Sequence, residues 1–274
     1  MTVFSRAADL RLIAMYVMSA VLLCLGSAGA TTDTPSSLDS KAAARFKAGD
    51  YGAVTALFEG MAPEQTPSPA LLRLSLLSYI KLGRTDDALS LYARLYPSEE
   101  RQDPPLLRPL ALSVITSRVR HQQEHVRIAA YTALAELGLP ETVAILEDGL
   151  LDSSVLVRAR AAEAIGKAGL AAKSGALRRA LNDDMPTVRI AAINALGEAK
   201  AADLAKRFAE IGRTEEGPEA IFAYAALYRI GQSDKLVNIT NAATLPDPEV
   251  RMAALGVLGR LKRPTSFAVL SQAV

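Results

Sequence analysis

The chain has 274 residues, with 31 Lys and Arg against 29 Asp and Glu, one cysteine and no tryptophan. So balanced a charge lacks the basic stripe that carries a nucleic-acid interface, and no nucleic-acid partner is expected. One cysteine excludes an intrachain disulfide.

Taken in chain order, residues 1–30 read as a secretory signal and not as part of a fold. Arg6 and Arg11 flank a basic start, and Leu12 to Leu25 is an apolar run of 14 residues without charge. Ser27-Ala28-Gly29-Ala30 then supplies the small residues that a signal peptidase reads. The run is shorter than the roughly 20 residues that span a bilayer. Cleavage after Ala30 and export to the periplasm or medium are expected, with residues 31–37 as a flexible start. An uncleaved segment anchoring the chain to a membrane is the alternative. Cys24 lies inside this segment, and Leu23 precedes it where a lipoprotein signal needs a small residue. The mature chain would then offer no thiolate as ligand or nucleophile.

Residues 38–97 repeat with a period of 34: Gly49-Asp50-Tyr51 returns as Gly83-Arg84-Thr85, Val54 as Ala88, Phe58 as Tyr92 and Pro63 as Pro97. Leu72, Tyr79, Gly83, Ala88, Tyr92 and Leu95 make the fuller copy. The first has Leu38 and Ala42 but Arg45 where an aromatic belongs. This period, with a glycine turn between two helices, resembles tetratricopeptide repeats. Two copies fall short of the roughly three that stand alone. The segment is therefore expected to stack on the array that begins at residue 106, across a junction at 98–105 punctuated by Pro104 and Pro105, with Pro109 close behind.

From residue 106 to 274 the period is 31. VRIAAYTALAELG begins at Val126, VRARAAEAIGKAG at Val157, VRIAAINALGEAK at Val188, a weaker EAIFAYAALYRIG at Glu219, and VRMAALGVLGRLK at Val250. The fifth residue is always alanine (Ala130, Ala161, Ala192, Ala223, Ala254), the eighth is small, and the ninth is Leu or Ile. That spacing is one stripe of a helix, and alanine on it lets two helices approach closely. Gly138, Gly169 and Gly231 stand where a left-handed residue would end the helix. A second stripe follows each phrase, as in Val143, Leu146 and Leu150, and runs backwards to Leu112, Ile115 and Val119. Each unit is thus two antiparallel helices. It resembles a HEAT repeat, and its length is most similar to the short HEAT-like repeats of phycobilin lyases. The fold implied is all-α, a right-handed α-solenoid of antiparallel helix pairs.

Asp152 precedes Arg158 by six residues and Asp183 precedes Arg189 by six, which is similar to the HEAT pattern of a turn aspartate and an early-helix arginine. The resemblance implies a ladder of bridges between neighbouring repeats. It is incomplete here, since His121 stands before Arg127 and Ala220 occupies the arginine position of the fourth repeat. The row Arg127, Arg158, Arg189 and Arg251 could also line a phosphate backbone, but the ladder and the neutral charge favour bridging.

Chemistry is sparse. His121 and His125 have zinc-protease spacing, but Gln122 stands where that motif needs glutamate, and the pair falls in a turn. Asp183-Asp184 and Glu215-Glu216 lie in solvated turns. The His-Glu pairs of HEAT-type di-iron hydroxylases do not occur. No catalytic, cofactor-binding or metal-ligating residue is assigned, and no cofactor is expected. For a partner the resemblance implies the face of the second helices, where Glu147, Asp148, Arg178, Arg179, Lys206, Glu210 and Asn241 point outward between buried positions. Their sign changes along the stack, which suits a polypeptide of matching pattern. The expected function is an exported, non-catalytic scaffold that binds protein in the cell envelope. The alternatives are a phycobilin-lyase-like enzyme or enzyme subunit, and a structural envelope protein self-associating through the final helix, Pro264 to Val274.

Overall fold

Two repeat periods of helical stripes build helices alone: among the described residues the chain forms fourteen α-helices joined by turns and short 3₁₀ segments, with no strand. The computed structural model describes residues 37–97 and 103–262. The expected signal segment, residues 31–36 and the final stretch from Pro264 to Val274 lie outside the described residues. The chain divides into two units, residues 1–118 and 119–274.

The first unit contains α1 (Ser37–Lys47), α2 (Tyr51–Glu59), α3 (Pro69–Lys81), α4 (Thr85–Leu95) and α5 (Pro104–Arg118). Gly49 and Gly83, 34 residues apart, turn α1 into α2 and α3 into α4 with φ of 77° and 71°, a region where glycine carries no Cβ penalty. Asp50 caps α2 by accepting from the Ala53 N–H, and Ser68 caps α3 by accepting from the Leu71 N–H. Ala42, Val54 and Leu71 form one small core. Leu76, Tyr79, Ala88 and Leu91 form a second, which Leu106, Leu110 and Val114 of α5 complete. Pro104 and Pro105 occupy the first turn of α5, where a missing N–H costs nothing, and Pro109 lies inside it.

The second unit repeats a long helix and a short one. The long helices are α6 (Glu124–Leu137), α8 (Val155–Lys167), α10 (Pro186–Glu198), α12 (Pro218–Arg229) and α14 (Pro248–Leu261). The short ones are α7 (Val143–Gly149), α9 (Gly175–Arg179), α11 (Ala205–Thr214) and α13 (Leu236–Ala242). All five alanines at the fifth position are buried, as are the ninth-position Leu134, Ile165, Leu196, Leu227 and Leu258. The long helices end on left-handed residues at 138, 169, 200, 231 and 262, with φ of 57°, 72°, 53°, 111° and 48°. Lys200 and Lys262 take this conformation without glycine's freedom. A 3₁₀ turn then opens each short helix, at Pro140–Thr142, Ala171–Lys173, Ala202–Leu204 and Ser233–Lys235.

The long helices approach closely through the tenth residue of the phrase. A Cβ on Gly166 would stand 2.7 Å from the Ala195 Cβ, and one on Gly197 2.7 Å from the Ala226 Cβ. Bare glycine on one helix faces alanine on the next.

Candidate functional site

The arginine row is consumed inside the second unit. Arg127 donates Nε and Nη2 to the two carboxylate oxygens of Asp152 at 2.8 and 2.9 Å, and Nη1 to the His121 and Gln122 carbonyls. Arg158 does the same to Asp183, at 2.8 and 2.9 Å, and to the Asp152 and Ser153 carbonyls. Each arginine thus holds the turn before its own helix and the acid of the next repeat. Bidentate geometry makes these the stronger kind of charged hydrogen bond, and guanidiniums so engaged are not free to line a phosphate backbone. Arg158 holds the Asp183 carboxyl below the usual carboxylate range, with the Met185 N–H helping.

The ladder continues one rung past the point where the sequence breaks it. Arg189 donates Nε and Nη2 to the Glu219 carboxylate at 2.8 and 2.7 Å, and that glutamate is 4% exposed. Thr214 stands where the period would place an aspartate, and glutamate reaches in from the next helix instead. Arg251 binds the Leu245 and Pro246 carbonyls, with no carboxylate partner among the described residues. His121 accepts the Gln123 N–H at Nδ1, as a turn residue would. Among the described residues no group of three or more His, Cys, Asp or Glu is arranged to hold a metal.

The seven residues expected to face a partner have different fates. Glu147 accepts from the Ser174 hydroxyl at 2.6 Å and from the Ala176 N–H, stitching α7 to the start of α9. Arg178 donates to Asp203 at 2.5 Å, and that contact lowers the Asp203 pKa. Asp148 accepts from Arg120 at 3.4 Å, and Glu210 from Arg207 at 2.8 Å. Arg179, Lys206 and Asn241 are exposed, with no side-chain partner among the described residues. Arg207, which bridges Glu210 and Asn182, was not among the residues read from the sequence.

A groove across three of the long helices was not legible in the sequence either. It has a volume of about 260 Å³ and runs over α6, α8 and α10, with Ala135, Ala164, Gly166 and Ala195 as its floor. Its rim is charged but internally paired: Lys167 with Glu136, Arg160 with Glu163, and Glu198 with Asn194. Arg229, 13% exposed, lies 3.6 Å from Glu198, and burial pulls its pKa down. The groove is below the roughly 300–1,000 Å³ of ligand pockets, too small for a large prosthetic group.

Residues 106–166 and 149–226 match the family model for HEAT repeats. This part of the chain is a HEAT-repeat array. No curated protein matches the chain by sequence. Among solved structures the chain is similar to the complex of CpcE and CpcF of phycocyanin lyase from Nostoc sp. PCC7120. The two share 16% identity with a TM-score of 0.50, over 89% of this chain and 85% of that one. At such identity the likeness is one of fold, an all-α HEAT-type solenoid. It corrects two expectations from the sequence. The expected non-catalytic envelope scaffold, and with it the expected absence of enzymatic activity, is not upheld, because the solved structure that the chain resembles is a lyase complex.

Proposed function

We propose that the chain is a HEAT-repeat enzyme or enzyme subunit of the phycobilin-lyase kind, handling a linear tetrapyrrole or a related prosthetic group together with a protein partner. The observation that carries this reading is the extent of the likeness to the phycocyanin lyase complex, which covers 89% of the chain and so reaches beyond the HEAT-matched residues. That neighbour is itself a complex of two proteins, which supports a protein partner here. Residues 38–97 enter this reading as two tetratricopeptide-like helix pairs, supported by left-handed glycines 34 residues apart. The first expected result is that purified chain titrated with biliverdin develops saturable circular dichroism in the visible region, where the free pigment and the protein alone show little. Titrations that stay flat at saturating pigment would sink the reading.

Export remains a proposal of its own, resting on the basic start, apolar run and small-residue exit of residues 1–30. Protein recovered from cells should begin at Thr31 by intact-mass spectrometry. A chain still beginning near Met1 would support a retained segment instead. Among the described residues no helix is long and apolar enough to cross a membrane.

A further inference from the structure

The eleventh residue of each phrase makes a charged row across the long helices: Glu136, Lys167, Glu198, Arg229 and Arg260. The first four pair along the stack. Lys167 reaches Glu136, while Arg229 Nη2 lies 3.6 Å from Glu198 Oε1 and its Nη1 donates to Asn194 Oδ1 at 3.4 Å. Arg229 thus reaches back one helix, to the seventh and eleventh positions of α10. The same reach from Arg260 meets Ala225 and Arg229 on α12, whose side chains offer no acceptor. Its guanidinium lies instead over the Phe222 ring, 5.4 Å from the centroid, with no hydrogen-bond or ion-pair partner among the described residues.

Arg229 is itself poorly satisfied. Its side chain is 13% exposed, yet its donors have only that one long hydrogen bond and the more distant Glu198. Arg127 and Arg158, at similar burial, each donate four hydrogen bonds. Glu198 is also shared, since it accepts from Asn194 Nδ2 at 3.2 Å. Burial draws the Arg229 pKa down, Glu198 opposes the fall and Arg260 adds to it, so the two guanidiniums feel each other across α12 and α14. Two cations against one shared carboxylate leave a single positive charge at this end of the row. Open space adjoins it, for a Cβ built on Gly256 or Gly259 of α14 meets nothing within 4 Å.

We propose that Arg229 and Arg260 form a binding site for one carboxylate group, seated between α12 and α14 beside Phe222. An excess of one positive charge suits a monoanion over a doubly charged phosphate. A planar guanidinium with idle donors is matched in shape by a carboxylate, and a buried donor gains most from an acceptor because leaving it unpaired is costly. The half-buried Phe222 ring supplies an apolar wall for whatever carries the acid. The site goes beyond the lyase-like reading and does not depend on it.

The test follows the Nε–Hε resonances of both arginines by nuclear magnetic resonance while sodium acetate replaces sodium chloride at constant ionic strength. Both should move together and saturate at one midpoint. Arg260→Gln, a change at an exposed side chain, should weaken that midpoint about fivefold, the most that an exposed charge pair gives. Gly256→Glu places an internal carboxylate one helical turn before Arg260 and should abolish the response. Gly256→Gln, of like helix propensity, should keep it. A blocked peptide with one glutamate between leucines then replaces acetate to distinguish the source. Tighter binding than acetate assigns the group to a protein side chain, equal or weaker binding assigns it to a small free acid, and both results support the site. Resonances that respond to acetate no more than to chloride overturn it. So does movement of Arg260 alone, or a Gly256→Glu chain that responds as Gly256→Gln does.

Discussion

Replacing Gly197 by leucine should lower the stability of the second unit by about 3 kcal/mol, and even Gly197→Ala should destabilise it by about 1 kcal/mol. The sign of the alanine result is the sharper test. In an ordinary helix interior, glycine to alanine gains about 1 kcal/mol, because the flexible residue loses more entropy on folding. At this position the new methyl would stand 2.7 Å from the Ala226 Cβ and 2.9 Å from the Ala226 Cα. The second of these atoms is backbone, so relief requires α10 and α12 to separate along their length. Gly52 in α2 is the contrast, for nothing lies within 4 Å of a Cβ built there. Gly52→Ala should stabilise by about 0.5 kcal/mol. Urea unfolding of the three variants reads all of this, and a Gly197→Leu chain that unfolds with the wild type would show that these helices are not in close contact.

The reason this contact escaped the sequence lies in how a period is read. Alanine at the fifth position recurs in all five copies, so its place on the buried stripe is visible without any structure. The tenth position reads Ala135, Gly166, Gly197, Tyr228 and Gly259, too mixed to declare a rule. It becomes meaningful once a neighbouring helix supplies Ala195 or Ala226 opposite. The left-handed helix ends show the same limit. Glycine advertised three of them, whereas Lys200 and Lys262 take the conformation with no such signal in the sequence. Helical phase sets Glu147 and Arg178 between the buried positions, but phase says nothing of how far a long side chain reaches. Both reach the next repeat and are used there.

The second large effect is expected on the ladder. Arg158→Ala should destabilise the second unit by about 2 kcal/mol, between the value of about 0–1 for exposed ion pairs and that of about 3–5 for breaking buried ones. The intermediate figure follows from side chains 16% and 13% exposed, and from a guanidinium that satisfies both oxygens of Asp183 and two turn carbonyls. A double-mutant cycle with Asp183→Asn should return a coupling of about 1–2 kcal/mol, since residues in one hydrogen-bonded pair are not additive. The coupling should also depend on acidity in a fixed direction. Because Arg158 lowers the folded-state pKa of Asp183, its contribution is present above the unfolded carboxylate value of about 3.9 and is lost as pH falls through the folded value. The stability gap between wild type and Asp183→Asn should therefore hold steady from about pH 8 to 5 and close below about pH 4. Arg251 supplies the internal control, because among the described residues it binds two carbonyls and no carboxylate. Arg251→Ala should cost less than Arg158→Ala and show no such acid limb. Equal losses at the two arginines, or a gap that persists undiminished to about pH 2, would mean that the carboxylates of the ladder do not hold successive repeats together.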